Sequence, residues 1–303
     1  MLAIVMSGAA NYGAMQAGAL EGILNAGYRP QVVVGTSAGA LNAIYIASDP
    51  TPERARHLGK IWGMVSPNEV GKGGMFTGIR RLLARKDSLF LNLPLAHYLE
   101  KYFPSGISTF GELYELKQVS AYTIAVCMET KQTVAFGDHP QDRILDGAMA
   151  STALPPYFPP WRVGGYRYID GGVTSKLPIL AAIERGATQI VALNVENAMV
   201  SAEKAQDIFG VGFFAISMMS DHQARMEIAI AKAMGVPLRI FTLLTPAEVG
   251  FWDFTQADHL YQIGKQTVEK ELTRQPLRIN PAWKSPFWRM RVKIIRKLLG
   301  IRV

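Results

Sequence analysis

Three consecutive valines, Val32-Val33-Val34, run straight into Gly35-Thr36-Ser37-Ala38-Gly39 and then into the small-residue stretch Ala40 to Ala47. A β-branched run favours a strand, and an alanine-rich run with scattered large apolar residues favours a helix. The chain has to turn from one to the other inside the pentapeptide. Only small neighbours permit so sharp a turn, and it leaves Ser37 at the N-terminus of the helix with its hydroxyl exposed. A strand feeding a helix in this way belongs to layered α/β folds, and this unit constrains the rest of the chain.

The remaining sequence keeps the same rhythm. Strands are expected at Leu2–Met6, Gln31–Gly35, Val119–Cys127, Thr133–Phe136, Tyr166–Ile169, Gln189–Val195 and Leu238–Leu243. Helices are expected at Ala14–Ala26, Ala38–Ala47, Arg143–Ser151, Ile179–Arg185, Asp207–Ala233 and Gln256–Leu272. The expected fold is a three-layer α/β/α domain around a mostly parallel central sheet. With 303 residues, 49% of them apolar and 18% charged, such a domain buries a sufficient core without a disulfide or metal staple. The single cysteine, Cys127, ends an apolar run and reads as a core strand residue. The apolar run Leu2 to Met6 is too short for a signal-peptide core and reads as a buried first strand, so a cytoplasmic setting is expected. No run of 18 apolar residues points to a spanning helix.

Two regions break the rhythm. Residues 62–111 are Gly-rich and basic and read as an insertion over the sheet, a possible lid. Near Pro276 the composition changes again, which divides the chain into a domain of residues 1–275 and a tail of residues 276–303.

Ser37 in a Gly-rich turn can be a plain helix cap or a nucleophile; the strand–turn–helix context favours the nucleophile. A nucleophilic serine needs a base. His222 and His259 sit in helical patterns without turn signals, and His57, His97 and His139 sit in polar or insertion segments, so none is a natural partner. Asp170 ends the strand Tyr166–Ile169 and precedes Gly171-Gly172, where two glycines let the backbone approach another segment closely. Its plain reading is an Asx turn.

Gly35-Thr36-Ser37-Ala38-Gly39 taken with Asp170-Gly171-Gly172 resembles the patatin-like phospholipases, which use a Ser–Asp dyad without histidine. The resemblance extends to the run from Ser7-Gly8 through Gly18 and to the Pro-rich stretch Ala150 to Pro160, covering roughly residues 1–195. It implies a patatin-like fold, Ser37 as nucleophile, Asp170 as its base and an acyl-enzyme intermediate hydrolysed by water. It also implies an oxyanion site built from the backbone N–H groups of Gly8, Ala9 and Ala10, and no metal or cofactor. A carboxylate with a pKa of about 4 is a weak base for an alcohol, so the dyad needs Asp170 desolvated. One departure stands out. Where the family has Gly-Gly-Gly-x-Arg-Gly, this chain has Gly8-Ala9-Ala10-Asn11-Tyr12-Gly13, so two glycines and an arginine are replaced. Backbone donors survive the change if the local φ angles suit alanine.

The formal charge of +8 calls for an anionic partner. From Pro281 to Val303 the chain has seven Lys or Arg residues and no acid. Trp283, Phe287 and Trp288 lead into a pattern that places Trp288, Val292, Ile295 and Leu299 on one helical stripe and Arg289, Lys293 and Arg296 beside it. A basic amphipathic helix with tryptophan at its entry reads as an anchor on an anionic membrane surface; its plain reading is a helix docked on the protein itself. No nucleic-acid module is present. The expected activity is hydrolysis of a lipid acyl ester, of phospholipase A or lysophospholipase type, by a peripheral enzyme of the cytoplasm. A transacylase with the same dyad and a weakly catalytic lipid-binding protein are the alternatives. Oligomeric state is not written in the sequence.

Overall fold

A computed structural model describes residues 1–66, 70, 78, 80, 81, 84–196, 206 and 208–276. The tail residues Trp283, Phe287, Trp288, Arg289, Lys293 and Arg296 lie outside the described residues, as does much of the first half of the 62–111 stretch.

The chain opens with β1 (Leu2–Met6), α1 (Gly13–Asn25), β2 (Val32–Thr36), α2 (Ala38–Ala47) and α3 (Pro52–Met64). Next come α4 (Leu93–Tyr102), α5 (Phe110–Lys117), β3 (Ser120–Cys127), β4 (Gln132–Phe136) and α6 (Ile144–Ser151). The short β5 (Trp161–Val163) pairs with β6 (Tyr166–Asp170) through a turn in which Gly164 and Gly165 both have positive φ. The chain continues through α7 (Ile179–Glu184), β7 (Gln189–Glu196), α8 (Ile208–Ala233), β8 (Leu238–Leu244) and α9 (Ala257–Arg274).

The sheet order is β5-β6-β3-β2-β1-β7-β8, with β4 paired to β3. β3, β2, β1, β7 and β8 run parallel, whereas β4, β5 and β6 join antiparallel at one end. Side-chain alternation splits β1 between two cores. Ile4 and Met6 enter the larger one with α1, α2 and α9, and Ala3 and Val5 enter the smaller one with α7 and the second half of α8. Two helical layers on one sheet give the α/β/α architecture expected from the sequence.

β3 sets the register that brings two distant segments together. Its residues Thr123 and Ile124 pair with both β2 and β4, and Ala125 to Cys127 pair with both β4 and β6. β2 and β6 therefore share one edge of β3, meeting end to end. Thr36, at the end of β2, lies opposite Ile124, and Asp170, at the end of β6, lies opposite Ala125. Consecutive positions on one strand thus bring Ser37 and Asp170 together from opposite directions.

Candidate active site

Ser37 occupies the N-cap of α2 with φ 56 and ψ −124. A side chain in this region costs about 1–3 kcal/mol and persists only where its surroundings enforce it. Two glycines enforce it by sheer closeness. A Cβ on Gly35 would stand 2.0 Å from the Gly39 carbonyl oxygen, and one on Gly39 would stand 2.5 Å from the Met6 oxygen. The Ser37 N–H donates to Ser151 Oγ at 2.9 Å, and the Ser151 hydroxyl donates to the Ile124 carbonyl at 2.6 Å. The end of α6 thereby holds the turn against β3.

Asp170 is buried and its N–H donates to the Ala153 carbonyl at 3.0 Å. The Asx turn expected as its plain reading is present, since Oδ1 accepts from the Gly172 N–H at 2.7 Å. That turn leaves Oδ2 buried without a hydrogen-bond partner among the described residues. Burial pushes the Asp170 carboxyl up to about 6, with the Gly172 N–H and the Ser37 hydroxyl drawing it partly back. The two side chains adjoin without a closed hydrogen bond between them. Gly171 is dictated by space, because a Cβ there would lie 2.3 Å from the Ile124 oxygen.

The loop from Gly8 to Gly13 borders the same space, and here the structure corrects one expectation. The Gly8 N–H is not available to an oxyanion, because it donates to the Lys176 carbonyl at 2.9 Å. The Ala9 and Ala10 N–H groups have no acceptor among the described residues. Ala9 sits at φ −151 and ψ −4, and Ala10 at φ 47, a conformation glycine would hold without strain. The loop is tied down by side chains. Asn11 Nδ2 donates to the Gly250 and Asp253 carbonyls, both at 2.8 Å, and Tyr12 Oη donates to the Val249 carbonyl at 2.7 Å. Tyr12 thus ties the loop to the segment that precedes α9. Below it, Gln16 donates to the Ser7 carbonyl at 2.8 Å, and Asn42 joins Gly13, Gln16 and Trp62 in a buried network.

Sequence reasoning missed the support behind the Asp170 turn. Helix α8 reaches it with Ser220, whose hydroxyl donates to the Gly172 carbonyl at 2.9 Å, and with Gln223, which donates to the Val173 carbonyl at 3.1 Å. Asp221 pairs with Lys176. Glu227 accepts from the Ser175 hydroxyl and from the Leu180 N–H, and burial pushes its carboxyl up to about 7. The Ser175 carbonyl in turn accepts from the Thr36 hydroxyl at 2.8 Å, which couples this support to the serine turn.

Ser37, Asp170, Ala9 and Ala10 open into a cavity of about 210 Å³. Its far walls are apolar, with Leu58 and Trp62 from α3, Leu95 and Leu99 from α4, and Phe251 and Trp252 from the loop before α9. None of the five histidines lines it. Among the described residues no cluster of three or more His, Cys, Asp or Glu side chains could hold a metal ion.

Solved structures with this fold include human GIVD cytosolic phospholipase A2, determined with a methyl gamma-linolenyl fluorophosphonate inhibitor and terbium chloride. It aligns at TM-score 0.51 and 11% identity, covering 100% of this chain and 60% of that one. VipD from Legionella pneumophila aligns at TM-score 0.43 and 14% identity over 98% of this chain and 74% of its own. ExoU, in its SpcU complex from the type III secretion system of Pseudomonas aeruginosa, aligns at TM-score 0.43 and 15% identity over 99% of this chain and 59% of its own. A family profile described as patatin-like phospholipase matches residues 4–183, more than half of the chain and a span that includes Gly8, Ser37 and Asp170. The protein therefore belongs to the patatin-like phospholipase family.

Proposed function

We propose that the protein is a serine hydrolase of lipid acyl esters, of phospholipase A or lysophospholipase type, with Ser37 as nucleophile and Asp170 as base. The observation that carries this reading is the state of Asp170. It is a fully buried carboxylate with one oxygen unpartnered and a pKa pushed up to about 6, set beside a serine in a strained turn. A buried polar atom without a partner is costly, and its persistence points to a use. A pKa near 6 keeps the group mostly ionised at neutral pH, yet makes it a stronger base than an ordinary carboxylate.

In this reading Ser37 Oγ forms a bond to the ester carbonyl carbon as its proton passes to Asp170. The Ala9 and Ala10 N–H groups donate to the oxyanion. Collapse of the tetrahedral intermediate breaks the bond to the alcohol, which leaves with the proton held by Asp170. Water, deprotonated by Asp170, then attacks the acyl–Ser37 ester and releases the fatty acid, with the proton returned to Ser37. The apolar cavity walls take the acyl chain. The 62–111 stretch, which contributes α4 to those walls, serves as a cover, and the basic tail with Trp283, Phe287, Trp288, Arg289, Lys293 and Arg296 serves as an anchor on an anionic membrane of the cytoplasm. Among the described residues no helix is long and apolar enough to cross a membrane.

A second reading, a lipid-binding protein with weak catalysis, draws on the occupied Gly8 amide and the strained Ala10. Release of p-nitrophenol from short-chain and long-chain esters separates the two. The hydrolase reading expects turnover by wild type and a loss of about 10³-fold or more in Ser37→Ala and Asp170→Asn. Silence of wild type with detergent and with vesicles would leave the binding reading in front.

A further inference from the structure

The cavity has two sides of different chemistry, and they meet at Ser37. Beside Asp170 it is lined by Gly172, Lys176, Ser217 and Ser220, and Lys176 is ion-paired to Asp221 of α8. On the other side it follows one face of α2, where Ala38, Leu41, Asn42 and Tyr45 line it in turn. Helix α3 runs back along this face. Its residues Arg54 and His57 meet Tyr45, and Trp62 meets Asn42 about one turn nearer the serine. Among the described residues, none between 46 and 57 lines the cavity, so α2 and α3 both leave it at Tyr45 and Leu58. The lane between them has a closed end there. Tyr45 is 3% exposed and held from two directions: its hydroxyl shares a hydrogen bond with His57 Nδ1, and the Arg54 guanidinium lies 3.9 Å from its ring centre.

We propose that this lane measures the acyl chain, with Tyr45 as its stop, and that the protein selects medium-chain acyl esters of about eight to ten carbons. This rests on the reading of Ser37 as nucleophile and Asp170 as base. That reading also sets the direction of the chain. The alcohol leaves with the proton held by Asp170, so it lies on the Asp170 side, and the acyl group is left to run the other way along α2. Length follows from the helix. From Ser37 to Tyr45 the rise is about 12 Å at about 1.5 Å per residue. Helical side chains lean toward the N-terminus, so the Tyr45 ring shortens the lane slightly. An extended acyl chain, a zigzag of bonds of about 1.5 Å, advances about 1.25 Å per carbon. Each methylene placed in the lane leaves water and strengthens binding about fourfold. Carbons beyond the stop gain nothing and have to fold back or displace a ring fixed by His57 and Arg54.

The test uses the full chain and p-nitrophenyl esters from butyrate to myristate, each kept monomeric. For wild type, kcat/KM is expected to rise to octanoate or decanoate and to fall about tenfold by myristate. Tyr45→Ala removes the stop and should raise the myristate-to-decanoate ratio about tenfold or more. Tyr45→Phe keeps the ring and should keep the wild-type optimum. Leu41→Trp fills the lane about one turn from the serine and should lower decanoate about tenfold or more relative to butyrate. Each comparison is a ratio within one variant, so a loss of folded protein cancels. A wild-type profile that rises through myristate overturns the proposal and leaves the hydrolase reading standing. So does an unmoved optimum in Tyr45→Ala, or an equal fall for butyrate and decanoate in Leu41→Trp. Should wild type hydrolyse none of these esters, the hydrolase reading falls, and calorimetric titration with free fatty acids decides the lane. Affinity should then rise to decanoate and level off in wild type but continue to myristate in Tyr45→Ala; a rise through myristate in wild type would again overturn the proposal.

Discussion

The turn at Gly35–Gly39 and the loop at Gly8–Tyr12 face the same serine, yet they obey different constraints. In the turn, added methyl groups would run into backbone oxygens from Gly39 and Met6. In the loop, a Cβ on Gly8 would meet Ser37 Cβ at 3.5 Å, an ordinary contact, and Ala9 and Ala10 already carry theirs. Space decides the turn, and backbone angle decides the loop. A clash with fixed backbone has no inexpensive remedy, whereas a single alanine in the left-handed region costs about 1–2 kcal/mol. The loop has therefore accepted replacements that the turn could not, and Asn11 and Tyr12 hold it in place through the carbonyls of Val249, Gly250 and Asp253.

The sharpest way to break this comparison is Gly39→Ala. It should destabilise the fold by about 4 kcal/mol or more in urea unfolding, against less than about 1 kcal/mol for Gly8→Ala. Comparable losses would mean that space does not separate the two segments. Next in size is Asp170→Asn. The Asp170 pKa of about 6 in the fold lies above its ordinary 3.8, so the fold favours the protonated form. Its contribution to stability is full below about pH 4 and is lost as pH rises through about 6. The variant should consequently gain up to about 3 kcal/mol at pH 7.5 and nothing at pH 4, while losing activity. The same value sets the rate profile. With the ionised carboxylate as base, kcat/KM for a monomeric ester should rise with unit slope up to about pH 6 and then level. A profile governed only by a group titrating near pH 4 would place Asp170 outside the chemistry.

Two smaller changes sharpen the loop side. Tyr12→Phe removes the bond to Val249 and should cost about 1 kcal/mol together with a several-fold fall in kcat, as the Ala9 and Ala10 donors lose their brace. Ala10→Gly relieves the strain but frees the unfolded chain, so a net gain of only about 0.5 kcal/mol is expected. A large loss in Ala10→Gly would show that the alanine methyl packs usefully in the cavity.

Most of the strands and helices were legible because their patterns are local. Val32 to Val34 and Ala38 to Ala47 declare their structure within a few residues, and the observed ends differ from the expected ones by a residue or two. β5 was not legible, because a three-residue strand carries no periodicity. The antiparallel attachment of β4 and β6 to β3 was hidden for another reason: pairing between distant segments leaves no local trace. The site divides in the same way. Ser37 and Asp170 stood out through their motifs. The Gly8 amide bound by Lys176, the Ser151 hydroxyl behind Ser37 and the Glu227 carboxylate behind Ser175 all depend on segments about fifty residues away or more. That Tyr12 stands where the resemblance leads one to expect arginine could be read from sequence, but its bond to Val249 could not.

The central claim, that Ser37 is an activated nucleophile in reach of working oxyanion donors, is tested most directly by intact-mass analysis after exposure to a long-chain fluorophosphonate. Attack on phosphorus with loss of fluoride needs the same serine, base and donors as attack on an ester. The account predicts a single adduct on wild type, mapped to Ser37, none on Ser37→Ala, and labelling slowed about 100-fold or more in Asp170→Asn. Labelling of Ser37→Ala at the wild-type rate, or an adduct mapped to another residue, would contradict it.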